Sequence, residues 1–192
     1  MRSIPRRPQR RGPFRLRVAL QFHSQNPETT QRAAMRLATV IPEAGLLVVL
    51  SGPLGSGKTV FAKGLAAGLG IPPEQVTSPT FAICHEHAAP DGRRLAHADG
   101  YRLLDARELE DAGLLDWLTA GTLVALEWGE RFPDALPADR LGVVMSRVDG
   151  ADPATQRRVK AVASGSASRA VLRDWESQLL GDHELDFAPD ID

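Results

Sequence analysis

Residues 52 to 59 read Gly-Pro-Leu-Gly-Ser-Gly-Lys-Thr, a complete G-x-x-x-x-G-K-[ST] phosphate-binding loop. The apolar run Leu46–Leu50 directly precedes it, and a helical pattern follows from Lys58. A buried strand, a glycine-rich turn and a helix start point successive backbone N–H groups at one anion. Lys58 should reach the β- and γ-phosphates, and the Thr59 hydroxyl is placed to bind Mg²⁺. We therefore predict nucleotide contacts at Gly52, Leu54, Gly55, Ser56, Gly57, Lys58 and Thr59.

Two acids follow later strands of the predicted sheet. Glu127 directly follows the apolar run Thr122–Leu126, and Asp99 follows the weaker strand Arg94–Ala98. Because the carboxyl ends of parallel strands meet at one edge of an open α/β sheet, Glu127 is placed to complete a Mg²⁺ site. The alternative for Glu127 is a solvated acid after a core strand. Taken singly, Asp99 before a glycine and Thr80 are equally typical of turn and loop residues.

The elements that position these residues alternate between strands and helices, which predicts a three-layer α/β domain of the P-loop NTPase-like kind. Two strands joined by a tight turn at 149–153 must be antiparallel, so we expect a mixed, mostly parallel central sheet. The predicted strands lie at Phe14–Phe22, Leu46–Leu50, between Phe81 and Ala98 as a pair, Thr122–Leu126, Leu141–Val148 and Arg158–Ala163, and the helices at 27–41, 58–69, 106–117 and 168–180.

Charge is unevenly distributed along the 192 residues. The net charge is -1, but residues 1–17 hold seven arginines and no acid, which leaves about -8 on the remaining 175. We expect a disordered Arg-rich extension at 1–13, a single P-loop ATPase domain at 14–181 and a solvated acidic tail at 182–192. A nucleic-acid-binding or targeting role is the alternative for the extension. An acidic body does not favour a direct grip on nucleic acid, because phosphate backbones bind basic surfaces.

Cysteine usage and hydropathy indicate a cytoplasmic chain without a membrane span. The lone Cys84 cannot pair within the chain, and neither a membrane-length apolar run nor a signal-peptide stretch is present. A zinc interpretation is invited by Cys84, His85, His87 and His97. In a strand, Cys84 and the two histidines after it point to opposite faces, so the side chains do not converge as zinc ligands.

Several motifs, taken in order, carry a family resemblance. After the phosphate-binding loop come S-P-T-F at 78–81, H-x-D-x-Y-R at 97–102, Glu108 with Gly113, and E-W at 127–128. This combination closely resembles the bacterial TsaE (YjeE) family over about residues 15 to 165. That family is a small ATPase required for making threonylcarbamoyladenosine, the modified adenosine beside the anticodon of tRNAs that read codons beginning with adenine.

The resemblance implies roles for the weaker site candidates, with ATP and Mg²⁺ as cofactors. Ser78–Phe81 would be a switch segment that brings Thr80 near the metal and the γ-phosphate. Asp99 would orient or deprotonate the attacking water, and Glu127 would hold Mg²⁺. Trp128 would lie beside the nucleotide, although a core aromatic is its equal alternative.

The resemblance also implies partners and a slow basal activity. TsaD-like and TsaB-like proteins would modify the tRNA, which this chain would contact only indirectly, and would activate its turnover. Gln25–Pro27 and Arg157 or Arg158 would close over the base. The chain departs from the family at Pro53, where an acid is usual, and at Gly100, which replaces an aliphatic residue; we expect Gly100 to loosen the segment that carries the catalytic aspartate.

The main alternative function is a small-molecule kinase of the P-loop class. Four arginines could form a lid over its phosphates, but the sequence has no acceptor signature; they are Arg93, Arg94, Arg102 and Arg107. A GTPase is disfavoured because no Asn-Lys-x-Asp segment for guanine occurs in the chain. A scaffold that binds nucleotide without hydrolysis stays open.

Overall fold

A computed structural model describes residues 20–79, 83–148 and 155–187 of the chain, with backbone only at Leu114 and Leu115. Within these residues, eight strands form one sheet in the order β3-β4-β5-β2-β6-β7-β1-β8. The elements are β1 Leu20–Ser24, α1 Pro27–Thr39, β2 Leu46–Ser51, α2 Lys58–Gly68, β3 Cys84–Ala88, β4 Arg94–Asp99, α3 Ala106–Asp111, α4 Leu114–Trp117, β5 Thr122–Glu127, β6 Leu141–Arg147, β7 Arg157–Ala163, α5 Ser166–Leu179 and β8 Leu185–Phe187, with 3₁₀ turns at Pro73–Gln75 and Gly129–Arg131.

The predicted three-layer α/β fold with a mixed sheet is confirmed, and its parallel part is central. The pairs β4–β5, β5–β2 and β2–β6 are parallel. Four antiparallel pairings complete the described sheet at its two sides, so the sheet is mixed as predicted but not mostly parallel. Parallel pairing is confined to the four strands β4, β5, β2 and β6. This arrangement puts the carboxyl ends of β4, β5 and β2 side by side, at the same end of the neighbouring strands.

Strand β2 shows why the centre of the sheet is buried on both faces. All six residues of Leu46–Ser51 are buried. Val48 and Leu50 pack in a cluster with α1, α2 and α5, whereas Leu47 and Val49 pack in a second cluster with Leu109 of α3. A strand with apolar neighbours on both faces needs a continuous apolar run, which is the pattern of its sequence.

Close packing of α1 against α2 holds the helix that starts at the phosphate-binding loop. Phe61 and Leu65 of α2 are fully buried. A Cβ atom at Gly64 would lie 2.2 Å from the Gln31 carbonyl oxygen and 2.6 Å from the Ala34 Cβ. Only glycine permits this approach, so the two helices form a rigid layer behind the loop.

The C-terminal segment differs from the expected solvated tail over residues 182–187. Strand β8 pairs antiparallel with β1, and Leu185 is only 7% exposed. The Asp182 carboxylate contacts the guanidinium groups of Arg32 and Arg36, both at 3.1 Å. The acids were expected to keep this segment in water, but they pair with basic residues of α1 while the apolar residues extend the sheet.

Some sequence predictions fall outside the described residues: the Arg-rich extension, the strand before residue 20 and the turn at 149–153. Helix α5 begins at Ser166, two residues before its predicted start. In the described ranges, no helix has the length and apolar character needed to cross a bilayer.

Candidate functional site

The predicted site residues meet at the carboxyl edge of the parallel strands. Strand register pairs Asp99 of β4 with Glu127 of β5, and Glu127 with Leu50 of β2, directly before the phosphate-binding loop. A cavity of about 610 Å³ opens there. Its lining includes most of the phosphate-binding loop together with Asp99, Glu127 and Trp128.

The phosphate-binding loop is locked against the neighbouring strand β6. Gly52 has a φ of 140°, and a Cβ atom there would lie 2.2 Å from the carbonyl oxygen of Met145. A side chain is therefore excluded on both conformational and steric grounds. Ser56 is 1% exposed, and its buried hydroxyl has no hydrogen-bond partner among the described residues. The loop thus offers an unused polar group beside the start of α2.

Lys58, the first residue of α2, has its ammonium group folded into the site. Its Nζ donates to the carbonyl oxygens of Gly52 at 2.9 Å and Pro53 at 3.2 Å, and lies 4.1 Å from the centre of the Trp128 ring. Burial lowers the pKa of Lys58, and the nearby Glu127 and other carboxylates oppose that shift. A cation without a tight carboxylate partner is available to an anionic ligand.

Glu127 joins the phosphate-binding loop to β4. Its Oε1 accepts a hydrogen bond from the Thr59 hydroxyl at 2.9 Å and lies 2.9 Å from Nε2 of His97. Glu127 is 4% exposed and His97 is fully buried. The structure therefore brings together the two residues predicted to bind the metal, Thr59 and Glu127. It adds His97, whose contact the sequence motifs did not indicate.

Asp99 lies at the end of β4, half-buried and lining the cavity. Its Oδ1 accepts a hydrogen bond from the Tyr101 backbone N–H at 2.9 Å, the turn contact expected of an aspartate before glycine. Burial raises the pKa of Asp99, and the neighbouring charge of Glu127 acts in the same direction. A carboxyl group with a raised pKa is better suited to accept a proton than an exposed one.

Gly100 is hydrogen-bonded through both of its backbone polar groups, whereas the sequence predicts that it loosens the Asp99 segment. Its N–H donates to the Glu127 carbonyl oxygen at 2.9 Å, and its own carbonyl accepts from Nη1 of Arg131 at 2.9 Å. A Cβ atom at Gly100 would lie 3.1 Å from the Phe132 ring. The small residue allows close packing, and both of its backbone polar groups are bonded.

Trp128 lines the cavity and belongs to neither buried core cluster. Its backbone has a φ of 62°, in the left-handed region that non-glycine residues seldom adopt. Its ring stands 5.1 Å from the Tyr101 ring. The strained backbone turns the indole towards the site, which favours the interpretation of Trp128 as a ligand-facing residue.

Thr80 lies outside the described residues, so its predicted role stays a prediction. Of the two candidate arginines, Arg157 lines the cavity: its Nε donates to the Ser56 carbonyl oxygen at 2.9 Å and its Nη2 to that of Gly55 at 3.1 Å. Arg158 instead contacts His23 at 3.2 Å. The structure therefore assigns Arg157 to the phosphate-binding loop itself.

Glu130 is a further acid that the sequence motifs did not single out. Its Oε2 accepts a hydrogen bond from the Ser51 hydroxyl at 2.8 Å, and its charge acts on Lys58. It follows Glu127 by three residues, through the turn that contains Trp128. The only sequence signal for Glu130 as a site residue was its position shortly after Glu127.

Comparison with known proteins gives the family. The model described as "Threonylcarbamoyl adenosine biosynthesis protein TsaE" matches residues 24–159. The chain is 40% identical over 129 residues to the tRNA threonylcarbamoyladenosine biosynthesis protein TsaE of Bacillus subtilis, covering 67% of this chain and 78% of that protein. It is 44% identical over 119 residues to the protein of that name from Streptomyces coelicolor, covering 60% and 77%.

A solved structure supports the same assignment. The crystal structure of YdiB from Bacillus subtilis matches with a TM-score of 0.64 and 31% identity, covering 83% of this chain and 95% of that one. The resemblance found in the motifs is confirmed. Because the matching family model spans more than half of its residues, the chain belongs to the TsaE family.

Proposed function

We propose that the chain is a Mg²⁺-dependent ATPase that supports threonylcarbamoyladenosine modification of tRNA through a partner complex. The observation that carries the proposal is the contact between the Thr59 hydroxyl of the phosphate-binding loop and the Glu127 carboxylate, at 2.9 Å. It joins the motif that binds phosphates to the acid expected to hold their metal. The names of the relatives supply the pathway.

The residues present fit a nucleoside triphosphate. A cavity of about 610 Å³ is within the usual size of small-ligand sites. The glycine at position 52 brings the backbone close, the buried Ser56 hydroxyl lacks a partner among the described residues, and Lys58 supplies a cation. Donors of this kind at a helix start are suited to phosphate oxygens.

The donor set at Thr59 and Glu127 also fits Mg²⁺, which prefers oxygen ligands and is often bound by one carboxylate plus phosphates. When bound, the ion neutralises charge on the β- and γ-phosphates. Thr59 and Glu127 would hold it, and Lys58 would contact the phosphates. Asp99 would accept the proton of the attacking water or orient it, while Trp128 would lie beside the nucleotide. Thr80 would approach the γ-phosphate.

The partners in this proposal are TsaD-like and TsaB-like proteins, with slow turnover by the chain alone and faster turnover in their presence. The tRNA would contact those partners, and the charge of about -8 outside residues 1–17 supports an indirect role. A cytoplasmic location belongs to the same proposal and is supported by the use of a single cysteine.

Phosphate release from γ-labelled ATP tests the proposal, with and without the partner pair and with Mg²⁺ or EDTA. We expect free phosphate only with Mg²⁺, more of it with the partners, and little from Asp99→Ala or Glu127→Ala. Full stimulated activity in both variants would contradict the assigned roles. Label transferred to an added metabolite instead of water would favour the small-molecule kinase.

A further inference from the structure

His97 is a polar residue buried among apolar ones. An aliphatic side chain at this position would leave no polar atom buried. His97 lies on β4, on the sheet face that packs against α2, where Leu95, Leu123 and Ala125 are also buried. Its Nδ1 is buried without a hydrogen-bond partner among the described residues. An orphaned ring nitrogen is unfavourable, so stability alone would select an aliphatic residue at this position.

Among the described residues, the His97 ring makes one polar contact, with Glu127. In the parallel register of β4 and β5, His97 lies opposite Ala125. Two positions further along each strand, Asp99 lies opposite Glu127. The methyl side chain of Ala125 leaves room for the imidazole to reach diagonally to Glu127 Oε1, at 2.9 Å. A carboxylate can only accept, so Nε2 is the donor in this contact.

The two hydrogen bonds that the Glu127 carboxylate makes in the described residues both end on the same oxygen. The Thr59 hydroxyl and the His97 ring approach Oε1 from different elements, α2 and β4. Neither bond uses Oε2. Contacts from two rigid elements restrict rotation of the carboxylate about its last bond and leave the second oxygen for another ligand.

We propose that His97 is a positioning residue that holds Glu127 in the orientation needed to bind the metal. The inference rests on the proposed function, because it gives Glu127 a divalent cation to bind. Partners of this kind typically change metal affinity when they are removed, by about tenfold or more, without touching the metal themselves. Nucleotide contacts that do not involve the metal should be unaffected.

Two amide substitutions test the role with nearly equal polarity and size. His97→Gln keeps an N–H donor at about the reach of Nε2, whereas the amide of His97→Asn ends near the position of Nδ1 and loses the contact. The control is His85→Asn, since His85 is the register partner of His97 on β3 and forms no hydrogen bond with Glu127 in the part of the chain that the structure describes. Thermal unfolding without ligand checks that each variant is folded.

The measurement is calorimetric affinity for the non-hydrolysable analogue AMPPNP, in Mg²⁺ and in EDTA. We expect Mg²⁺ to strengthen binding to the wild type, His85→Asn and His97→Gln. His97→Asn should lose most of that gain, about tenfold or more, with unchanged affinity in EDTA. Equal gains in His97→Asn and the wild type, or an equal loss in EDTA, would overturn the positioning role alone. A wild type that binds no AMPPNP would contradict the proposed function as well.

Discussion

The two sides of the cavity differ in how firmly the described residues hold them. On what we call the metal side, Thr59, Glu127 and His97 form a chain of 2.9 Å contacts between α2, β5 and β4. On the water side, formed by Asp99 and Tyr101, the carboxylate is half-buried and the tyrosine is 57% exposed. The residues proposed to bind phosphate and metal are therefore held by contacts within the fold, whereas the group proposed to act on water lies at an open side of the cavity.

This difference suggests how a slow ATPase could be accelerated. A partner that covers the water side would exclude solvent around Asp99, which strengthens the electrostatic interactions there, without rebuilding the metal side. If the two sides are separable, variants of the metal side and the loop should change binding, whereas variants of the water side should change turnover.

The largest effect on nucleotide binding is expected from Lys58→Ala. Its ammonium group is buried in the loop and has no tight carboxylate partner among the described residues, so its removal takes away the main cation offered to the phosphates. We expect nucleotide affinity to fall by about 100-fold. Calorimetry with ATP and Mg²⁺ measures the loss, and Lys63→Ala on the same helix serves as the matched control. Unchanged affinity in Lys58→Ala would mean that phosphate binding does not depend on the cation of the phosphate-binding loop.

Asp99→Asn should separate turnover from binding. The amide keeps the shape of the side chain but cannot accept a proton, so phosphate release should fall by about 100-fold while ATP affinity changes less than about threefold. Asp111→Asn, an exposed acid of α3, is the control. A parallel loss of affinity would place Asp99 with the metal ligands and remove the distinction between the two sides.

The pH dependence of turnover follows from the same carboxyl group. Burial raises the pKa of Asp99, and its proposed role requires the ionised form. Activity should therefore fall on acidification with an apparent pKa above the ordinary aspartate value of 3.8. ATP affinity measured over the same pH range should not follow that curve. An acid limb shared by binding and turnover would point to a group that contacts the nucleotide.

Arg157→Ala should give a smaller effect, on the loop. The guanidinium donates to the carbonyl oxygens of Ser56 and Gly55, so its loss frees the loop without removing a phosphate ligand. We expect ATP affinity to fall by about three- to tenfold, which corresponds to the net contribution of about 0.5–1.5 kcal/mol of one ordinary hydrogen bond. Arg158→Ala removes the adjacent guanidinium, which contacts His23, and should leave affinity unchanged.

The sequence predicted those features of the fold and the site that depend on neighbouring residues in the chain. The phosphate-binding loop, β2 and the start of α1 at residue 27 each follow from neighbouring residues, and the structure has all three. The contact of His97 with Glu127 spans 30 positions and depends on strand register. The contact of Arg157 with the loop joins residues about 100 positions apart, which become neighbours only in the folded sheet.

Two predictions failed or stayed open for physical reasons. Residues 182–192 were expected to stay in water because of their acids, but Asp182 pairs with two arginines of α1 and Leu185 is buried in β8. A local charge pattern cannot show that cationic partners lie about 150 positions away. Gly100 was expected to add freedom, yet its hydrogen bonds come from the end of β5 and the turn after it.

The smallest expected effect concerns the stability of the folded chain. Because the pKa of Asp99 is raised on folding, the folded state binds more protons than the unfolded state between 3.8 and the raised value. Stability therefore falls as pH rises through that window, and the full cost is present at neutral pH. Asp99→Asn removes the ionised group, so its Tm at pH 7 should exceed that of the wild type by about 1–3 °C.

The difference in Tm should shrink as the pH is lowered towards 4, because the wild-type carboxyl then becomes neutral like the amide. The metal side supplies the contrast: Thr59→Val removes a hydrogen bond to the buried Glu127 and should lower the Tm at pH 7. Opposite signs of the two Tm changes would show that the metal side is stabilised by its contacts, whereas burial of the charged Asp99 destabilises the water side. If Asp99→Asn also lowered the Tm, the bond from the Tyr101 N–H would outweigh the burial of the charge, and both sides would be built alike.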